Sequence, residues 1–196
     1  MKLNAIETIQ NGIQLGLKSF PALLVNGILF VLTVWIPYLN VGTLIGMINL
    51  PARMARDEGL SMTEIFDPKY RQHFGEVFLT LGLVGMGVLF ASMLLVGPIL
   101  QIAWSLAVLL VIDKGMEPLA AIRKSSDLTY GNKWAIFFAY FLFMIGAYIV
   151  ILLLAWIGSK IAAFLAGLLV FAVVLLIFPI ILGINAEIYK KLTSNG

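Results

Sequence analysis

The chain reads as an all-α integral membrane protein whose six membrane segments form three helical hairpins, each preceded by an interfacial amphipathic helix. Three observations predict this. Ser19 to Ala52, Val77 to Ile112 and Trp134 to Ala186 contain a single charged residue, Lys160, and charge is kept out of hydrocarbon because its transfer there is costly. Hydrophobic residues make up 61% of the chain and charged ones 12%, with a mean hydropathy of +1.03, against about 25% charged in ordinary soluble domains. Each charge-free block is also interrupted by a helix breaker near its middle. Residues 1 to 196 are expected to form one polytopic domain, with hairpins at about 19–52, 77–112 and 134–186, because no linker or low-complexity tract divides them.

The first element is amphipathic. Ile6, Ile9, Ile13, Leu17 and Phe20 recur at steps of three and four, with Glu7, Gln10, Asn11, Gln14 and Lys18 on the other side. It does not read as a secretory signal peptide, since the apolar run starts late and no charged n-region or small-residue cleavage site accompanies it. The first hairpin follows, with its breaker at Ile36-Pro37-Tyr38-Leu39-Asn40. Its return limb, Val41 to Ala52, covers only about 18 Å at 1.5 Å per residue, so it is either re-entrant or strongly mismatched to the bilayer.

In the second amphipathic segment Ser61 and Glu64 have capping-box spacing. Asp67-Pro68 offers an N-cap followed by an N1 proline, and Phe66, Tyr70 and Phe74 fall on one face. The second hairpin, Val77 to Ile112, would be about 54 Å long as one straight helix, well beyond a hydrocarbon core of about 30 Å. Gly97-Pro98 is its expected turning point, because glycine permits unusual dihedrals and proline disfavours helix in the residue before it. The third segment opens at Glu117-Pro118 and leads through Tyr130-Gly131-Asn132-Lys133 to Trp134. The last hairpin breaks at Trp156-Ile157-Gly158-Ser159-Lys160.

If each block is a hairpin, every Lys and Arg except Lys160 lies on one side, which the positive-inside rule makes the cytoplasm. Both termini are then cytoplasmic, and Lys160 marks an outer turn. The expected location is a bacterial or archaeal cytoplasmic (inner) membrane. Trp35, Tyr38 and Trp156 suit the outer interface, and Trp134 and Tyr189 the inner one.

The stretch Ile36-Pro37-Tyr38-Leu39-Asn40-Val41-Gly42, the run Arg53-Met54-Ala55-Arg56-Asp57-Glu58-Gly59 with Leu60-Ser61 and Phe66, and Leu128-Thr129-Tyr130-Gly131-Asn132-Lys133-Trp134 together resemble uncharacterised bacterial and archaeal multi-pass proteins of the YciC-type and glycerophosphodiesterase-membrane-domain-like families. The resemblance covers about residues 1 to 140 in layout. It implies an all-helical inner-membrane bundle and carries over no catalytic residue, and the soluble phosphodiesterase domain of some relatives has no counterpart here.

The residues offer little to a catalyst. His73, the sole histidine, stands three residues before Glu76, too few groups for a metal site without distant ligands. No nucleophile motif or phosphate loop occurs, no cofactor is implied, and zero cysteines exclude thiolate ligands. The net charge of +3 follows from residues flanking membrane segments and does not signal nucleic acid. Ion-coupled transport is disfavoured because no charged group lies near a midplane.

Gln101 and Ser105, one turn apart, are with Asn26 and Asn49 the candidates for a polar path, the alternative being interhelical hydrogen bonds. Gly42 with Gly46, Ala103 with Ala107, and Ala163 with Gly167 are candidates for close helix packing, within one chain or between copies of a homo-oligomer. The expected function is that of a non-catalytic membrane protein acting through helix packing, self-association or partner binding in envelope maintenance, with membrane lipids as its partners. The alternative is a channel or a passive permeation or lipid pathway. A lipid-handling version predicts an apolar groove opening sideways between hairpins.

Overall fold

The computed structural model describes residues 2–161 and 163–194, and side chains other than those of 159–166; within them every regular element is helical. In chain order these are α1 (Ala5–Lys18), α2 (Phe20–Thr33), α3 (Leu39–Ala55), two 3-10 turns (Glu64–Phe66 and Pro68–Arg71), α4 (Phe74–Met93), α5 (Gly97–Ala103), α6 (Ala107–Lys114), α7 (Pro118–Thr129), α8 (Lys133–Ile161) and α9 (Ala163–Thr193). Among the described residues, four stretches are long and apolar enough to cross a membrane: Phe74–Met93, Gly97–Lys114, Lys133–Gly158 and Gly167–Thr193. The number rises to five if α1 and α2, bent by 74° at Ser19, count as one broken span.

α3 lies at the centre. It packs on α2, α4, α6, α9 and both 3-10 turns, and Ile45, Leu50 and Ala52 are fully buried. The helix is 17 residues long, because it continues past Ala52 through Arg53 to Ala55. At 1.5 Å per residue that is about 26 Å, so the limb is longer than its uncharged part. Enclosure by neighbouring elements compensates for its modest length. Its entry needs a left-handed residue, Tyr38, at φ 75°.

α1 is seated on α9 by small residues rather than by its apolar stripe. Thr8, Gly12 and Gly16 form the buried face, and a Cβ at Gly183 would stand 2.0 Å from the Gly12 carbonyl oxygen and 2.7 Å from Gly16 N. Backbones therefore touch. The stripe divides, with Ile6 61% and Leu17 47% exposed while Ile9 is half-buried against the core. Asn4 caps α1 by accepting from the Ile6 and Glu7 amides, and Asn132 accepts from Leu3 N to fix the preceding strand of chain.

The second amphipathic segment forms two 3-10 turns rather than one helix. Asp67 caps the second of them as its Asp-Pro sequence predicts, accepting from Lys69 N. Ser61 and Glu64 do not form a capping box, because the Glu64 carboxylate turns inward to Tyr70 and Lys69. The turn after α4 comes one step earlier than Gly97-Pro98: residues 94 to 96 make it, with Leu95 at φ 61°. Gly97 is needed for a different reason, since a Cβ there would lie 1.9 Å from Ser92 Oγ.

α5 and α6 are two pieces of one interrupted span. The gap at Trp104 to Leu106 leaves backbone groups that hydrocarbon cannot satisfy, and α7 supplies the partners. Ser125 Oγ accepts from Leu106 N and donates to Ala103 O, Thr129 Oγ1 donates to Ala103 O, and Trp104 Nε1 donates to Ser126 Oγ. α7 thus acts as a clasp on the gap. α8 is continuous to Ile161, so Trp156 to Gly158 do not break it; Gly158 alone costs too little to end a long apolar helix. The side chain of Lys160 lies outside the described residues.

Candidate functional site

The ends of α3, α6 and α9 and the 3-10 turns meet in a charged layer. Its components alternate in sign. Asp113 meets Arg56 Nη1; Arg56 Nε reaches Glu58 at 2.6 Å; Glu58 reaches Arg53 Nη1 at 2.7 Å; Arg53 lies 3.3 Å from Glu64; and Lys69 bridges Glu64 at 3.3 Å and Asp67 at 2.7 Å. Two tyrosines tie the row to the helices, Tyr189 donating to Asp113 at 2.6 Å and Tyr70 to Glu64 at 2.7 Å. The Arg56 hydrogen bond lowers the Glu58 pKa, and the Lys69 side chain does the same for Asp67. Burial pushes the Tyr70 phenol up to about 12, against the opposing hydrogen bond from Asn49.

A second set of ion pairs joins the chain's distant segments. Lys18 and Lys190 share Asp57 at 3.4 and 2.7 Å, and Lys191 reaches Glu7 at 2.7 Å and Glu187 at 3.3 Å. The Lys190 hydrogen bond is the main cause of a lowered Asp57 pKa. Glu187 is 5% exposed and accepts from Asn11 Nδ2. Tyr189, expected at the interface, is 2% exposed.

The polar-path candidates do not come together. Gln101 and Ser105 are both exposed on the outside of the bundle, and Ser105 Oγ bonds within its own turn to Ile102 O. Asn26 is fully buried as a loop anchor, donating to Ala22 O and Ser61 O and accepting from Ile65 N. Asn49 is buried on α3 and donates to Tyr70 Oη at 3.3 Å.

The packing candidates divide. A Cβ at Gly46 would lie 2.7 Å from Ile65 Cα, and one at Gly42 would lie 3.1 Å from Arg71 Nε, so this pair seats the 3-10 segment rather than another helix. Ala103 and Ala107 are buried beside the gap that α7 clasps. Gly167 is exposed, with nothing within 4 Å of its added Cβ. The Ala163 side chain lies outside the described residues.

On the far side of α3 from Asn49, an apolar groove of about 500 Å³ opens sideways between α2, α3 and α9. Leu24, Ile28 and Val31 of α2 face Val174 and Phe178 of α9 across it, and Met47 of α3 forms the floor. Gly27 admits the Phe178 ring, which a Cβ would meet at 3.3 Å. A separate, smaller hollow of about 290 Å³ at the bend between α1 and α2 is lined by Lys18, Pro21, Met54 and Asp57 among others.

The important residues missed from sequence were Gly12, Gly16 and Gly183, and Ser125, Ser126 and Thr129. Gly12 and Gly16 stand in open GxxxG spacing, but their partner lies at the other end of the chain. Among the described residues, no three His, Cys, Asp or Glu side chains converge to hold a metal ion. No family model, curated protein or solved structure matches this chain.

Proposed function

We propose that this chain is a non-catalytic integral protein of a bacterial or archaeal cytoplasmic membrane that acts by binding a lipid acyl chain in the lateral groove of α2, α3 and α9. The groove carries the reading. Its walls are aliphatic and aromatic, and it opens sideways between α2, α3 and α9. Such a slot suits an acyl chain.

In this reading the chain crosses six times, with α2 and α3 as short limbs. The gathering of Lys18, Asp57, Lys190 and Glu7 by ion pairs supports a common end for the basic segments, which positive-inside bias makes cytoplasmic.

The test is photolabelling in liposomes with a phospholipid carrying a diazirine on its acyl chain. Labelling should concentrate on Val31 and Val174 and drop severalfold in Val174→Trp, which fills the slot. Equal labelling of Leu89 and Phe90, exposed on α4, would reduce the groove to ordinary lipid-facing surface and remove the proposal.

A further inference from the structure

On the opposite side of α3 the charged layer encloses a cleft of about 330 Å³, bounded by Asn49, Arg53, Arg56, Lys69, His73 and Asp113. That is roughly ten times the ~30 Å³ that one water occupies in the liquid. We infer that this cleft is a binding site for a singly charged phosphate group, either a lipid phosphodiester or free phosphate. The site is separate from the acyl groove, and either can fail without the other.

Three buried polar atoms on residues bounding this cleft have no hydrogen-bond partner. They are Asn49 Oδ1, on a residue only 3% exposed; Arg53 Nε, which lies 3.3 Å from Glu64 without hydrogen-bonding alignment; and Asp113 Oδ1, which is ion-paired with Arg56 Nη1. Buried orphans of this kind call for an occupant. Two are acceptors and one is a donor, so the occupant must offer both a hydroxyl and an acceptor oxygen. A hydroxylated phosphodiester headgroup or a protonated phosphate does so.

The charges agree once the carboxylates are separated by exposure. Glu64 and Asp113 have side chains 5% and 2% exposed and are fixed, whereas those of Glu58 and Asp67 are each 38% exposed at the rim. Exposed ion pairs are worth little, so an arriving anion displaces the rim carboxylates into water. Arg53, Arg56 and Lys69 then face two carboxylates, leaving one positive charge for one negative ligand. Guanidinium groups match phosphate oxygens in pairs, and basic pockets between membrane helices are suited to phospholipid headgroups.

The experiment is calorimetric titration of the full-length protein in maltoside micelles with two probes, inorganic phosphate and dihexanoyl phosphatidylglycerol. Binding of the second probe alone assigns the site to lipid headgroups, and binding of the first alone to free phosphate; both fit the inference. Glu58→Gln, which releases Arg53 and Arg56, should tighten binding about three- to tenfold, and Arg53→Gln should weaken it at least about tenfold, one decade in Kd. If Arg53→Gln does not fold, Arg53→Lys tests the loss of the Nε donor. The inference is overturned if folded wild-type protein saturates with neither probe at millimolar concentration. It is equally overturned if Glu58→Gln binds no more tightly than wild type, since a purely structural ion-pair row predicts that result.

Discussion

Gly183 has no room for a methyl group, because the atoms that would meet it belong to the α1 backbone and cannot rotate away. Gly183→Ala should therefore destabilise the fold by about 1–3 kcal/mol, the usual cost of overpacking. Gly167→Ala, placed in open space, should be neutral or slightly stabilising through helix propensity. Thermal unfolding of both variants in detergent checks the pair, and equal behaviour would contradict the close crossing. Asp57 gives a pH dependence. Its pKa is lowered in the folded state, chiefly by the Lys190 hydrogen bond, so its contribution is present above the ordinary value of 3.8 and is lost as pH falls through the folded value. The acid limb of the stability profile should be shallower in Asp57→Asn than in wild type, and the difference should shrink in high salt because the pair is exposed. Single residues were legible where the signal was local. Asp67 before Pro68 forms the cap its sequence suggests, whereas the roles of Glu64 and Gly183 depend on partners that no short window contains.

At the level of elements, an interrupted span is stabilised by a helix outside it. Ser125 holds both sides of the gap between α5 and α6, one through a donated and one through an accepted hydrogen bond. Removing its hydroxyl leaves the buried Leu106 amide without a partner, at about 1–3 kcal/mol. Ser125→Ala should thus lower stability measurably, while Ser105→Ala, exposed and bonded only within its turn, should stay within about 0.5 kcal/mol. Reversed magnitudes would mean that the gap is supported from its own side. The apolar blocks were plain in the sequence because charge avoidance acts on every residue of a span. The extent of α3 was not, since Arg53 reads as an end although the helix continues to Ala55 beneath neighbouring elements. The clasp was also hidden, because Ser125 and Thr129 lie on the buried face of a helix whose other face is as polar as any interfacial one.

At the level of the whole molecule, the described residues form an all-helical chain with four or five stretches suited to a membrane, and ion pairs collect residues from its beginning, middle and end. The native sequence has no cysteine, so single introduced cysteines report cleanly on sidedness. Cysteines at residues 57 and 117 should react with an impermeant maleimide only from the cytoplasm, and cysteines at 35 and 160 only from outside. Labelling of residues 35 and 57 from the same face would leave α2 and α3 as an excursion into one leaflet. The crossing of α1 and α9 has a consequence in time as well as space. Asn11 bonds Glu187 across 176 residues of sequence, so α1 cannot reach its seat until α9 has been made. Through synthesis it waits with its glycine face unoccupied, and the arrival of Gly183 closes the chain into a ring. A nascent chain stalled short of that residue should be readily proteolysed at α1, while the released full-length protein resists.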